Sequence, residues 1–241
     1  MKKRLLAAAA AFILLCSLYS CKPVVGGGPV KSENRAAGSF SAIHISAPVN
    51  AVITVQPGAA PSVQLSGYEN LLKEIKTEIR NNELTISLPD GMHVQTDKDV
   101  TANITVPALT ALDISGASNA EINGKITGNE FTVDISGSGN VTAADISVNK
   151  FSIDVSGSGN ADITAGNVRE AAYEVSGSGS ISAFGLQVQD AQASVSGAGN
   201  IELTATQKLD ADISGAGNVQ YKGHPQISQD LSGAGAISEA N

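Results

Sequence analysis

Between Ser115 and Gly235 the chain writes one short phrase seven times: SGASN at 115, SGSGN at 136 and 156, SGSGS at 176, SGAGN at 196 and 214, and SGAGA at 232. Successive copies begin 18 to 21 residues apart. A period near 20 is short for helical-pair repeats and suits one coil of a β-solenoid, in which each coil buries its apolar face on its neighbours. Aligned on their Ser, the copies alternate with a period of two, as half-buried strands do. The residue before the phrase is always aliphatic: Ile114, Ile135, Val155, Val175, Val195, Ile213 and Leu231. Two residues further back stand Leu112, Val133, Ile153, Tyr173, Ala193, Ala211 and Gln229. Five residues after the Ser come Ala120, Val141, Ala161, Ile181, Ile201, Val219 and Ile237. These columns are expected to point inward.

Between the two strands, Gly pairs such as 137/139 and 177/179 permit positive φ or close backbone approach at a corner, and only the first copy departs, with Ser118 in the second Gly place. A third apolar cluster follows in several coils, as at Ile146 and Val148, Val168, and Leu186 with Val188. At about 4.8 Å per coil the seven copies make a rod on the order of 30 Å long. Polar residues in the last coil, from Gln229 to Glu239, suit an end cap.

Ahead of the repeats, residues 40–46, 49–56, 62–66, 83–88 and 102–106 read as strands separated by turn signals such as Pro57-Gly58 and Pro89-Asp90-Gly91. Tyr68 to Ile75 reads as one short helix with Leu71, Leu72 and Ile75 on its apolar side. The fold class is therefore all-β. Residues 39–110 either form irregular coils that begin the same stack or make a small domain of their own; residues 111–241 hold the repeats.

The first 20 residues carry Lys2, Lys3 and Arg4 and then an apolar run from Leu5 to Leu15, the pattern of a bacterial secretory signal. Eleven apolar residues fall short of the roughly 20 that a membrane-spanning helix needs. Leu18-Tyr19-Ser20-Cys21 resembles the lipobox of bacterial lipoproteins, with Tyr19 bulkier than the usual occupant, and that resemblance implies lipidation of Cys21. The alternative is an ordinary signal cut near Ser20 that leaves a free thiol. Cys16 departs with the signal, so the mature domain has no disulfide to stabilise it. Residues 21–38, beginning Cys-Lys-Pro-Val-Val-Gly-Gly-Gly-Pro, read as a flexible tether. Lys22 beside the lipidated Cys resembles outer-membrane sorting, and no acidic surface-export run follows.

Loss of the three signal cations leaves 12 basic residues against 23 acidic, a net charge near -11. That balance disfavours nucleic acid and anionic lipid surfaces as partners. Aromatic residues are 4% of the chain with no Trp, which fits narrow coils filled by Ile, Val, Leu and Ala.

VDISGSGN and IDVSGSGN, the earlier FSAIHISAPVNAVITVQPG and ANITVPALTALDISGASN, and the lipoprotein front together resemble the autotransporter adhesin head GIN domain family, a domain of unknown function abundant in Bacteroidetes. The likeness covers residues 39–241. It implies a right-handed β-helix on an exported protein and brings no catalytic residues with it.

Asp113, Asp134, Asp154, Glu174, Asp212 and Asp230 precede the phrase by two residues, with Ser194 in that place in the fifth copy. In register they form an outward acidic ladder. Carboxylates about 4.8 Å apart repel by roughly 1 kcal/mol in water-like surroundings, so a cation could relieve the stack. Calcium-binding β-rolls place Asp at Gly-rich turns, but with a nonapeptide period. A solvated row that keeps the rod soluble is the favoured reading. Asn119, Asn140, Asn160, Asn200 and Asn218 form a second column, suited to side-chain hydrogen bonding along the stack more than to ligand display.

Enzyme constellations are scarce. His44, His93 and His224 lack metal-ligand spacing, and Ser147-Val-Asn-Lys150 matches Ser-x-x-Lys without a companion motif. Only Arg35, Arg80 and Arg169 remain after signal removal. A phosphate-binding loop is disfavoured because a strand, not a helix, follows each Gly-rich phrase. The sequence thus favours a non-enzymatic cell-envelope lipoprotein at the outer membrane, its solenoid a scaffold or binding surface for a glycan or protein ligand, with no cofactor. The alternative is a glycan-active or metal-dependent enzyme on the acidic face, supported by the ladder alone. Pairing at the solenoid ends is a route to oligomers, and no oligomeric state follows from the sequence.

Overall fold

The computed structural model describes residues 22–35 and 38–240. It is nearly all β, with 69% of residues in strands and 3% in helix, arranged as stacked coils of a β-solenoid. In the repeat region the strands are β10 (Ala111–Gly116), β11 (Asn119–Gly137), β12 (Asn140–Gly157), β13 (Asn160–Ile163), β14 (Gly166–Val175), β15 (Ser180–Val195), β16 (Asn200–Ile213), β17 (Asn218–Lys222), β18 (Gln226–Leu231) and β19 (Ala236–Glu239). Each pairs in parallel with the strand one coil away, so that Ser115 lies beside Ser136 and Ser136 beside Ser156. Copies of the phrase sit on one another because a shift of one residue would turn every inward aliphatic to solvent.

The expected inward columns are buried from Leu112 and Ile114 through Ala211 and Ile213 on one face and from Ala120 to Val219 on the next. Inside the coils Phe131 stacks on Phe151 with centroids 5.9 Å apart, and Phe151 meets Tyr173 edge-on at 6.1 Å. The Tyr173 hydroxyl is buried without a hydrogen-bond partner, and burial pushes its pKa far above that of an exposed tyrosine.

Leu231, Gln229 and Ile237 close the columns differently. All of β18 is exposed, Leu231 at 45% and Ile227 at 42%, and no described strand lies beyond it. The expected polar cap is instead an open parallel edge. Its inward positions lack a covering coil, so their aliphatic side chains meet water.

The corner glycines answer a steric demand. At Gly177 a β-carbon would sit against the carbonyl oxygen of Gly157 one coil below. Gly137 has φ of 135° and faces the carbonyl of Gly116 in the same way. Ser118, the departure from this pattern, is 1% exposed and stitches two corners together. Its hydroxyl donates to the Ala47 carbonyl at 2.6 Å and accepts from the Val49 amide at 3.3 Å.

Ahead of the repeats lie β1 (Lys22–Val25), β2 (Val30–Arg35), β3 (Ala42–Ile45), β4 (Val49–Val55), β5 (Ser62–Tyr68), α1 (Glu69–Glu74), β6 (Lys76–Arg80), β7 (Glu83–Ser87), β8 (Met92–Gln95) and β9 (Val100–Val106). The five expected strands and the short helix are present; β1, β2, β6 and β8 are additional. Leu71, Leu72 and Ile75 are buried. β3 and β4 stack in parallel under β10 and β11, and β7 and β9 stack under β3 and β4. The chain therefore lays down one coil, passes beyond it to build the next layer, and returns past it to start the repeats. One column of inward residues runs Ile86, Ile45, Ile114, Ile135, Val155, Val175, Val195, Ile213, Leu231, nine layers in register. At about 4.8 Å per layer it extends about 38 Å.

Antiparallel strands close the other end: β6 pairs with β7, β5 with β9, and β2 with β5. The last pairing corrects the expectation of a flexible tether over 21–38. Residues 30–35 form a six-residue ladder on β5, and residues 22–25 pair in parallel with β8. Arg35 donates to the Leu72 carbonyl at 2.6 Å and Lys31 pairs with Glu69 at 3.0 Å. The Gly-rich composition hid the two ladders because backbone groups, not side chains, make them.

Candidate functional site

The strands before each phrase form one parallel sheet face, with Asp113, Asp134, Asp154, Glu174, Ser194, Asp212 and Asp230 in consecutive register along it. The ladder expected from sequence is thus a physical row. It borders a groove of about 720 Å³ lined by Asp134, Asp154, Glu174, Asp212 and Asp230 and by polar Ser152, Gln192 and Ser228. Burial and the flanking charges of Asp113 and Asp154 raise the Asp134 pKa above the ordinary carboxylate value. One oxygen of half-buried Asp154 has no hydrogen-bond partner.

His44 continues the row beyond its first acid. It stands in register with Asp113, and its Nδ1 lies 2.9 Å from the Asp113 carboxylate. The spacing of His44 from His93 and His224 does not point to this contact. The signal was present, since Ile43-His44-Ile45-Ser46 carries the same in–out alternation as Leu112-Asp113-Ile114-Ser115.

A neighbouring outward row carries both signs of charge. Glu130, Lys150, Glu170, Asp190 and Lys208 lie in register, with Lys150 3.8 Å from Glu170 and Lys208 paired to Asp210. Acidic and basic residues mix there, and both lysines have an acidic partner, Glu170 for Lys150 and Asp210 for Lys208. The acidic row has only His44 at one end.

The asparagine column is a hydrogen-bonded ladder. Asn140 donates to Asn119 at 2.8 Å, Asn160 to Asn140 at 3.0 Å and Asn218 to Asn200 at 3.0 Å, while Ser180 interrupts the run. Asn119 donates in turn to Asn50 at 3.1 Å, which carries the ladder into the first coil. These amides are engaged with one another, as the structural reading of the column requires.

The remaining candidates do not converge. Ser147 donates to Asp145 at 3.1 Å and Lys150 points to Glu170, so the Ser-x-x-Lys pair is divided between other partners. His93 lies in β8 and His224 is exposed beside Glu239. Among the described residues no three His, Cys, Asp or Glu side chains come together to hold a metal ion, because the row places its carboxylates in single file. Among them, too, no helix is long and apolar enough to cross a membrane. Cys21 lies outside the described residues.

Fold and face together define a β-solenoid of the adhesin-head class. Residues 39–225 match the family "Putative auto-transporter adhesin, head GIN domain", and the chain belongs to it. A solved "putative adhesin" from Bacteroides fragilis is similar at 25% identity and TM-score 0.84, over 90% of this chain and 100% of that one. A "putative adhesin" from Parabacteroides merdae superposes at 24% identity and TM-score 0.71, over 91% and 99%. A "putative lipid binding protein" from Parabacteroides distasonis does so at 23% and 0.73, over 91% and 100%. No curated protein matches the chain. The family and the Bacteroides fragilis structure point to adhesion or binding at the cell surface or envelope.

Proposed function

We propose that the protein is an exported cell-envelope lipoprotein, acylated at Cys21 and held at the outer membrane, whose solenoid is a non-enzymatic binding surface for adhesion. The observation that carries this reading is the contrast between the two outward rows. Where the neighbouring row mixes acids with Lys150 and Lys208, the acidic row leaves five carboxylates along one groove without basic partners in register. Like charges held a coil apart keep a standing repulsion that a cationic, hydrogen-bond-donating ligand relieves. Amino-sugar glycans and Lys- or Arg-rich protein segments have that chemistry. The family and the similar solved structure described as a putative adhesin support the same reading.

The test is a combined binding and hydrolysis screen of amino-sugar glycans and basic peptides on the domain from Lys22 onward. Salt-sensitive binding that weakens in Asp154→Asn and Glu174→Gln, without turnover, is the expected result. Cleavage products would sink the non-enzymatic reading in favour of a glycan-active enzyme. Protease accessibility on intact cells checks the location, since adhesion requires the domain to be cut from outside.

A further inference from the structure

We infer that the segment after Cys21 is a foot that seats the capped end of the solenoid directly on the bilayer surface, instead of a leash that lets the domain float away from it. The inference rests on the acylation of Cys21 proposed above and says what that anchor does to the domain.

The first described residue, Lys22, is already paired with the folded body. Lys22, Pro23, Val24 and Val25 stand in parallel register with Met92, His93, Val94 and Gln95. Beyond them the Gly26 amide donates to the Gln95 carbonyl at 2.8 Å. Asn70 of α1 clasps the same turn from both sides, its oxygen accepting from the Gly27 amide at 3.0 Å and its amide donating to the Val25 carbonyl at 2.8 Å. The Glu69 amide donates to the Pro29 carbonyl at 3.0 Å, and β2 then joins β5. No slack follows the anchor. One trans peptide step, about 3.8 Å, separates an acylated Cys21 from this ladder. A flexible Gly-rich tether spanning 21–38 would instead give a mean reach of roughly 20–25 Å.

The surface at this end suits the occupant. Among the described residues four large hydrophobic side chains are exposed, and two of them, Val25 at 61% and Val30 at 49%, flank the Gly26–Pro29 turn. Acyl chains leaving Cys21 bring the bilayer within one four-residue strand, about 13 Å, of this turn, and an interface takes up aliphatic side chains that water does not favour. The other two, Ile227 and Leu231, lie in β18, the terminal layer at the opposite end of the stack from β9. Anchored this way, the capped layers lie next to the lipid, and the repeats with their acidic row extend from them.

Full-length acylated protein, reconstituted in phosphatidylcholine vesicles that contain headgroup-nitroxide lipid, tests the arrangement. With Cys16 gone and the Cys21 sulfur blocked by lipid, Gln95→Cys and Ser228→Cys each give one thiol for a bimane label; both positions are exposed. The expected result is contact quenching on the order of threefold or more greater at 95 than at 228, because such quenching needs the label at the headgroups and Ser228 lies in the terminal layer, several coils of about 4.8 Å beyond the ladder that holds Gln95. A Gly/Ser insert of about a dozen residues between Cys21 and Lys22 should abolish the difference by restoring a leash. The mass of the N-terminal peptide separates the two readings. An acylated peptide with equal, weak quenching at both sites, or quenching that the insert leaves unchanged, overturns the foot alone. An unmodified Cys21 overturns the lipoprotein reading and the foot with it.

Discussion

The first coil and the later repeats turn the same corner with different residues. In the repeats the corner is Ser-Gly followed by a second small pair, whereas in the first coil the register-equivalent stretch is Ser46-Ala47-Pro48-Val49. Ala47 is 1% exposed and fits. What differs is the layer beneath. Under each repeat corner lies another of the same shape, whose carbonyl occupies the place a β-carbon would take; under the first corner the chain makes a long excursion through β8. Gly116 shows the transition, since a β-carbon there meets nothing within 4 Å while at Gly137 it meets Gly116. Glycine is therefore demanded by stacking of like on like more than by the corner itself.

That comparison can be broken most directly by alanine at the corners. Gly177→Ala, which has no room below it, is expected to cost about 3 kcal/mol, read as a lowered midpoint in denaturant. Gly116→Ala carries only the strain of its positive φ and should cost about 1 kcal/mol. Equal losses at the two positions would refute the stacking account.

Ser118 joins the two regions, so Ser118→Ala should leave the buried Ala47 carbonyl and Val49 amide only each other, 2.8 Å apart, and cost about 1 kcal/mol. An unchanged thermal midpoint would show that the corners hold without it. In the other direction, Tyr173→Phe removes a buried hydroxyl that has no partner and keeps the aromatic stack. It should stabilise the repeats by about 1 kcal/mol, measured by the same melt.

The smallest effect concerns the acidic row. Burial and its neighbours raise the Asp134 pKa in the folded state, so the folded protein holds that proton more tightly than the unfolded chain. Stability therefore falls as pH rises from the ordinary carboxylate value through the raised one, and the full penalty is present above it. Because Asp134 is largely solvated, Asp134→Asn should recover only about 0.3 kcal/mol at neutral pH and flatten the acid limb of the stability profile. A variant that is less stable at neutral pH than the parent would show that the row is neutralised in a way the register does not reveal.

Much of this molecule is legible in residue order because the repeats report on their own neighbours. The aliphatic columns, the acidic row and the asparagine ladder follow from alignment alone, since parallel stacking places equal positions beside one another. The N-terminal portion hides its layer order for the complementary reason. Nothing local in Ala42–Val55 says that its lower neighbour, β7 with β9, comes later in the chain than its own coil. The cap formed by residues 22–35 is hidden too, because Gly-Gly-Gly-Pro is the composition of a linker and its attachment is made by backbone amides and by Asn70, 43 residues from Gly27.

The sequence by itself determined that the chain stacks coils and which faces turn inward, because period and alternation are properties of the chain read in order. Only the tertiary structure decided that the first coil is sandwiched between later ones, that His44 ends the acidic row, that β18 is an open edge and that the supposed tether is a strand-built cap. Each of these depends on contacts between segments far apart in sequence, whose pairing is fixed by backbone hydrogen bonds and available space, and neither quantity is written in the identity of any one residue.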